Sequence, residues 1–329
     1  MNRFPRAPQI MLCIILGPRA ALLGCVLLAL AGTAFARSIN DGLGTTGFAW
    51  LKAASDAEIS AAGETMAARD GSAGLLVHPA AIAGVERGTV KLSYVNHYVD
   101  TQYGTVSYAN RFGDRCMGFR LTYVNYGEFV GTNVSGERTG TFTAGDMGFS
   151  LNVGKQARDD LKLGATVSYL TSKINDFTAQ AATVDLGAIY TPPFEGLTVG
   201  AVLMNLGKVF KGYSDASSLK LPVYLTVGAR KTLPHSPFTL LADVTFPNDN
   251  DMVYAFGVEA NLNDRLFLFA GTRSRSDADL QLQKAKTDFA AIRTFGIGLA
   301  LERCRFHYAY CPNEDLETVH KVTIEFTAR

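Results

Sequence analysis

From Gly88 to the end, the chain alternates large apolar residues with small or polar ones, and it does so in segment after segment. "HKVTIEF" (320–326) is a compact example: Val322, Ile324 and Phe326 share one face, and Lys321, Thr323 and Glu325 share the other. Side chains that alternate with a period of two define a β-strand with one greasy side. The same pattern runs through Met117, Phe119, Leu121 and Tyr123, through Met147, Phe149, Leu151 and Val153, and through Leu161, Leu163, Ala165, Val167 and Tyr169. It continues in Ala182, Val184, Leu186 and Ala188, in Val223, Leu225 and Val227, and in Phe295, Ile297, Leu299 and Leu301. Arg293 has the parity of that last greasy face, which predicts a place at the strand's end near a rim.

Such a face is buried in a soluble core or turned to lipid, and the connections help to choose. Counting segments gives about fourteen strands of roughly ten residues, the length and even number of an outer-membrane barrel. Even-to-odd turns are short (113–115, 155–160, 191–196, 233–236 and 261–265), whereas several odd-to-even loops (127–142, 206–220 and 274–290) are longer. Short turns on one rim and long loops on the other belong to transmembrane barrels, and a soluble sandwich has no physical reason to sort them so. Arg120, Asp146, Asp185, Arg230, Asp243, Glu259, Lys321 and Glu325 all fall opposite apolar faces. In a sandwich that face meets water. In a barrel it lines the lumen, where mixed charges pair around water or a plug and small glycines leave room for inserted chain. The expected fold is therefore an all-β transmembrane antiparallel barrel over 89–329.

The first 36 residues read as an export signal. Arg3, Arg6 and Arg19 precede an apolar run from Ala20 to Ala31, and Ala34-Phe35-Ala36 matches an A-x-A cleavage site. After residue 36 no run is apolar for the ~18 residues a membrane helix needs. Export with cleavage near Ala36, followed by residence in the cell outer membrane, is the expected route.

Residues 37–88 lack the alternation of the strands, and they read as a glycine-rich stretch, a short helix and a Pro-containing loop. "SDAE" (55–58) reads as a capping box, with Ile59, Ala62 and Met66 at helical spacing before Asp70-Gly71. The segment has too few large apolar side chains for a core of its own. Phe48, Trp50 and Leu51 form an apolar patch with the single tryptophan, suited to internal packing or to a partner. "GLGTTG" (42–47) matches a dinucleotide-binding pattern by letters alone; with no strand before it and no βαβ unit after it, it reads as a flexible stretch.

Basic and acidic residues nearly balance, 31 against 30, and no basic stripe points to nucleic acid. The five histidines lack metal-ligand spacing and no nucleophile signature is present, so neither catalysis nor a cofactor is expected. "NVS" (133–135) marks an exposed loop. Once the signal is removed Cys116, Cys304 and Cys311 remain. The last two, seven residues apart, cannot pair within one strand, because a disulfide spans only ~7 Å or less between Cα atoms.

Three stretches carry a family resemblance: "GTTGFAWLK" with "DGSAGLLVHPAAIA", then "YVNYGEFVGTNVSGERTGTFTAGDMGFSL", then "FHYAYCPNEDLETVHKVTIEF". "VDLGAIY", "NLGKVFKGY" and "LPVYLTVGARKTLPHSPFTL" fall in order between them. The chain resembles the PorV/PorQ family of outer-membrane proteins over nearly all of residues 37–329. Two features depart from it: His78 stands where the family usually has Asn before Pro-Ala, and Thr327-Ala328-Arg329 follow the terminal aromatic. The resemblance implies a fourteen-stranded barrel like those of long-chain fatty-acid transporters, plugged by its N-terminal segment, with His78 and Pro79 joining Phe48, Trp50 and Leu51 as partner or plug contacts. It also implies a non-enzymatic accessory of type IX secretion, with secretion or surface-attachment proteins and exported cargo as partners beside outer-membrane lipid. The alternative is a channel for small hydrophobic ligands.

Overall fold

The computed structural model describes residues 46–214, 219–274, 292–312 and 317–328. The export signal at 1–36, the 42–45 part of the glycine-rich stretch and nearly all of the 274–290 loop lie outside the described residues. Fourteen strands follow one another: β1 (Thr89–Asn96), β2 (Gln102–Phe112), β3 (Arg115–Thr132), β4 (Arg138–Arg158), β5 (Leu161–Ile174), β6 (Phe177–Tyr190) and β7 (Leu197–Lys211). The second half comprises β8 (Tyr224–Thr232), β9 (Phe238–Pro247), β10 (Val253–Asn261), β11 (Leu266–Arg273), β12 (Ile292–Ala300), β13 (Cys304–Cys311) and β14 (Val319–Thr327). Each pairs antiparallel with its neighbours in sequence, and β1 closes on β14, making one closed barrel. In the closing pair Val90 stands opposite Phe326, Leu92 opposite Ile324 and Tyr94 opposite Val322.

The two faces separate as the alternation requires. Leu92, Tyr94, Phe119, Leu121, Phe149, Leu151, Val167, Leu186, Phe295, Ile297 and Phe326 form an exposed apolar outer surface, while Lys91, Asp146, Asp185, Asp243, Lys321 and Glu325 are buried inside. A soluble fold exposing that many large apolar side chains would aggregate; a barrel in lipid buries them in hydrocarbon and satisfies its backbone internally. Val322, Ile324 and Phe326 thus point outward, and Lys321, Thr323 and Glu325 inward. Arg293 is exposed at the start of β12, by the rim.

The hydrophobic core lies inside the lumen, made by residues 46–88. The segment starts at the long-loop rim, where the Gly47 N–H donates to the Lys220 carbonyl (2.9 Å) and Lys52 pairs with Asp249 (2.8 Å). It then descends through a 3-10 turn (Ala49–Lys52), α1 (Ala57–Ala61), α2 (Gly71–Gly74) and a second 3-10 turn (Pro79–Gly84) to enter β1 at the short-turn rim. Ile59, Leu76, Val77 and Ala54 pack together within it; Leu75, Ile82 and Val85 pack on Ala109 and Cys116 of the wall.

Several expectations are corrected. The 127–142 loop is not a loop: β3 and β4 continue upward as a hairpin whose turn is only 133–137, with Phe129 and Phe142 stacked at 5.4 Å. A bulge between Asn125 and Glu128, with Gly127 at φ 80°, shifts the parity and hides the strand from a period-two reading. The 206–220 loop likewise begins later, because a bulge in the β6–β7 pairing near Asp185 lets β7 run on to Lys211. Strands β3–β7 are 14–21 residues long against 8–11 elsewhere, so one side of the barrel rises as a wall. The helix cap is also one residue off. Asp56, not Ser55, accepts from the Glu58 N–H (2.9 Å), and α1 ends at Ala61 because Gly63 and Glu64 take left-handed φ of 72° and 62°. Leu163 is the third residue of β5, close to the short-turn rim. Cys116, Cys304 and Cys311 are all free.

The depth of these positions is testable. Val167, mid-strand and 57% exposed on the outer face, should lose about 2–4 kcal/mol on Val167→Arg in bilayer refolding measurements, and Leu163→Arg less. Equal penalties would misplace the apolar band.

Candidate functional site

The site is the interface between the plug and the lumen wall, together with a cavity that the plug leaves beside Trp50. Backbone approach comes first. Gly148, Gly154, Gly164, Gly187, Gly200, Gly257, Gly271 and Gly296 sit where the plug presses against the wall. A Cβ at Gly148 would lie 2.7 Å from the Trp50 ring, at Gly187 2.7 Å from His78, and at Gly257 2.5 Å from the Ala62 carbonyl oxygen. At Gly200, Gly164 and Gly271 it would collide outright with the backbone of Ala67, Pro79 and Gly63. The polar-face glycines of the strands are the space that the plug occupies.

Wall hydroxyls and carboxylates then satisfy plug backbone groups left open by its short helices. The Thr323 hydroxyl accepts from the Ala57 N–H (2.9 Å), and the Thr294 hydroxyl accepts from the Gly63 N–H (3.1 Å) while donating to the Ala61 carbonyl (3.0 Å). Asp243 takes both the Met66 and Ala67 N–H groups, at 2.5 and 2.9 Å.

The charges interlock. Fully buried Lys91 of β1 pairs with fully buried Asp56 and donates to the Ser72 carbonyl (3.0 Å). Arg69, 2% exposed, bridges Glu58 (3.2 Å) and Glu259 of β10, and Arg230 of β8 approaches Glu259 at 3.6 Å. Lys321 donates to the Ala54 carbonyl (2.7 Å) and the Ser60 hydroxyl (2.9 Å) and lies 3.8 Å from Glu64, which also pairs with Arg273. His307 stands 3.7 Å from Glu58. Burial alone would raise the Glu58 carboxyl, but His307, Arg69, Lys91 and Arg305 around it prevail and hold it at about 2. Glu64 is lowered for the same reason: Arg273 and Lys321 outweigh its burial. Sequence reasoning places several of these charges inside but misses their partners, because Asp56–Lys91 or Arg69–Glu259 carries no local signal.

Phe48 and Trp50 are buried in a cluster with Val95, Tyr103, Val124 and Leu170 of the wall, with Leu51 packed at its edge. His78 is buried, caps the second 3-10 turn by accepting from the Ala80 N–H at Nδ1 (3.1 Å), and is pushed down to about 4 by burial. Pro79 is buried against Gly164. All five therefore lie within the lumen, spread along the plug rather than gathered in one place.

Above α1 the plug leaves a cavity of about 70 Å³. Trp50, Leu76, Leu170, Met204 and Tyr224 form its apolar side, and Arg120, Ser150, Thr183, Asp185 and Asn205 its polar side. Arg120 donates to the Leu76 carbonyl, and Asp185 accepts from the Asn205 N–H (2.7 Å) at the β7 bulge. The Trp50 indole N–H, which borders the cavity, finds no acceptor among the described residues. Among those residues no cluster of His, Cys, Asp and Glu suited to a metal occurs.

A closed fourteen-stranded barrel, apolar outside and plugged by its own N-terminal segment, defines an outer-membrane β-barrel type of fold. No family model matches the chain, and no curated protein matches it by sequence. Among solved structures it is similar to the Pseudomonas putida toluene transporter TodX, at 14% identity and TM-score 0.58 over 82% of this chain and 96% of that one. The CymD monoaromatic hydrocarbon channel matches at 11% identity and TM-score 0.58 (83% and 97% covered). A Pseudomonas aeruginosa FadL homologue matches at 10% and 0.53 (84% and 99%). At these identities the likeness establishes the fold.

Two outcomes are expected for the plug. Lys91→Met strands the Asp56 carboxylate without a counter-charge and should cost about 3–5 kcal/mol in unfolding in detergent, most of it recovered by adding Asp56→Asn; a fully additive double variant would contradict the pairing. Acid should loosen the plug in two stages. Folding lowers the pKa of both groups, so each contribution is complete above its ordinary value and lost toward its folded one: from 6.5 to about 4 for His78, and from 4.5 to about 2 for Glu58. Trp50, the single tryptophan, reports this directly. Its emission should shift red below pH 6.5 and again below 4.5; an unchanged spectrum down to pH 2 would refute the coupling.

Proposed function

We propose that the protein is a non-enzymatic outer-membrane channel for small hydrophobic molecules, with residues 46–88 as its internal gate. The cavity beside Trp50 carries this reading: a lumen closed by folded chain that still holds an apolar-walled pocket opposite a hydrogen-bonding one. TodX is described as a toluene transporter and CymD as a monoaromatic hydrocarbon channel, and the shared architecture favours the same class of cargo here. At about 70 Å³ the cavity is smaller than the ~150 Å³ apolar cavity that accepts benzene, so passage requires the plug or its side chains to shift. Deletion of the protein should lower cellular uptake of a radiolabelled monoaromatic hydrocarbon. Met204→Trp, which fills the cavity, should lower it at least about fivefold in a barrel that still shows heat-modifiable migration. Uptake unaffected by deletion would overturn the reading.

One observation favours a second reading, a secretion or surface-attachment accessory. The raised β3–β4 hairpin presents exposed Phe129, Val130 and Val134 above the rim, within one of the stretches that resemble the PorV/PorQ family. On this reading exported cargo and secretion-system proteins are the partners. Deleting 127–142 should then abolish surface display of cargo and leave the barrel folded; unchanged export would count against it.

A further inference from the structure

The outer face of the tall wall departs from the rest of the barrel at one place. Along β5 the outward positions Leu163, Val167 and Tyr169 are exposed and large, and the next two are Thr171 and Lys173. On β7, after the bulge, Lys208, Phe210 and Lys211 are exposed. The register sets them side by side: Tyr169 and Lys208 both stand opposite Ala182 of β6, Lys211 opposite Gln180, and Lys173 opposite Thr178. Strands β5 and β7 are two spacings apart, about 10 Å, and alternate residues are separated by about 7 Å along a strand. The three ammonium groups therefore reach a common patch. Tyr169 and Phe210, with ring centroids 6.1 Å apart, lie beside them.

Among the described residues no carboxylate pairs with these lysines. The acid within β6, Asp185, is turned into the lumen, and Asp176, in the turn above, forms no ion pair with any of the three lysines among the described residues. The three lysines begin at the height where the apolar band ends, at the long-loop rim that faces outward in such barrels. On the other side of that rim Arg293 of β12 faces outward. Aromatic rings at the interface with cations directly above them suit a ligand with acyl chains below and phosphates on its headgroup.

We infer that the outward face of β5–β7 binds the phosphorylated headgroup of an outer-leaflet saccharolipid, with Lys173, Lys208 and Lys211 on its phosphates and Tyr169 and Phe210 against its acyl–sugar junction. This rests on the barrel standing in an outer membrane with the long-loop rim outside, and on neither functional reading above.

The test uses the full-length barrel in nonionic detergent, titrated with bis-phosphorylated lipid A and followed by native mass spectrometry. The protein should retain the lipid. K173Q/K208Q/K211Q should lower retention at least about tenfold, whereas K173R/K208R/K211R and the short-rim control K155Q should keep it. Dephosphorylated lipid A added to the unaltered protein should bind at least about tenfold more weakly, an arm that depends on no variant. Equal retention by the glutamine triple variant, equal binding of the dephosphorylated lipid, or loss in K155Q to the same extent would each overturn the proposal.

Discussion

The structure depends on a matching of buried charge between two pieces of one chain. The wall carries Lys91, Arg230, Glu259, Arg273, His307 and Lys321 on its inner face, and the plug brings Asp56, Glu58, Glu64 and Arg69 to meet them. Neither set is tolerable alone in a low-dielectric interior, because an unpaired buried charge costs several kcal/mol. Such pairs add little net stability over apolar packing, but they accept only one placement of the plug. The glycines act in the same direction through shape: the Ala62–Gly63 and Ala67 backbones reach the wall only where no side chain stands. The plug, too poor in large apolar residues to fold alone, acquires its core from the lumen.

Much of this is legible from one regularity. Strict alternation specifies the strands, their outward faces, the inward charges and the small lumen-side residues, because a pleated strand with lipid on one side admits no other pattern. The features that alternation conceals have physical causes. The bulges at Asn125–Glu128 and at Asp185 reverse the parity, so the rising β3–β4 hairpin and the end of β7 read as loops. The plug's helix reads as longer than it is, because Ala62 and Met66 keep helical spacing although Gly63 and Glu64 turn left-handed between them. Phe48, Trp50, Leu51, His78 and Pro79 stand out in the sequence, but the cavity's other walls, Arg120, Asp185, Met204 and Tyr224, come from strands distant in sequence. Only closure of the barrel brings them together.

The arrangement separates three surfaces by chemistry. The outer band is apolar, the lumen ionic and filled, and the rim above β3–β7 mixes aromatic, apolar and basic groups. The proposed channel and gate would use the first two, and recognition at the cell surface would use the third. The Trp50 cavity lies where plug, bulged strand and wall meet, so a movement of the plug and a change in the cavity are a single event.

Amide hydrogen exchange, resolved by residue on the protein in detergent, distinguishes a plug seated in the lumen from a loose segment. If the plug is an integral part of the lumen, the N–H groups of Ala57, Gly63 and Ala67, which are bonded to Thr323, Thr294 and Asp243, will exchange as slowly as those of the adjoining strands. Exchange of those three amides at the rate of free chain, beside a fully protected barrel, would show that the segment is not seated in the lumen.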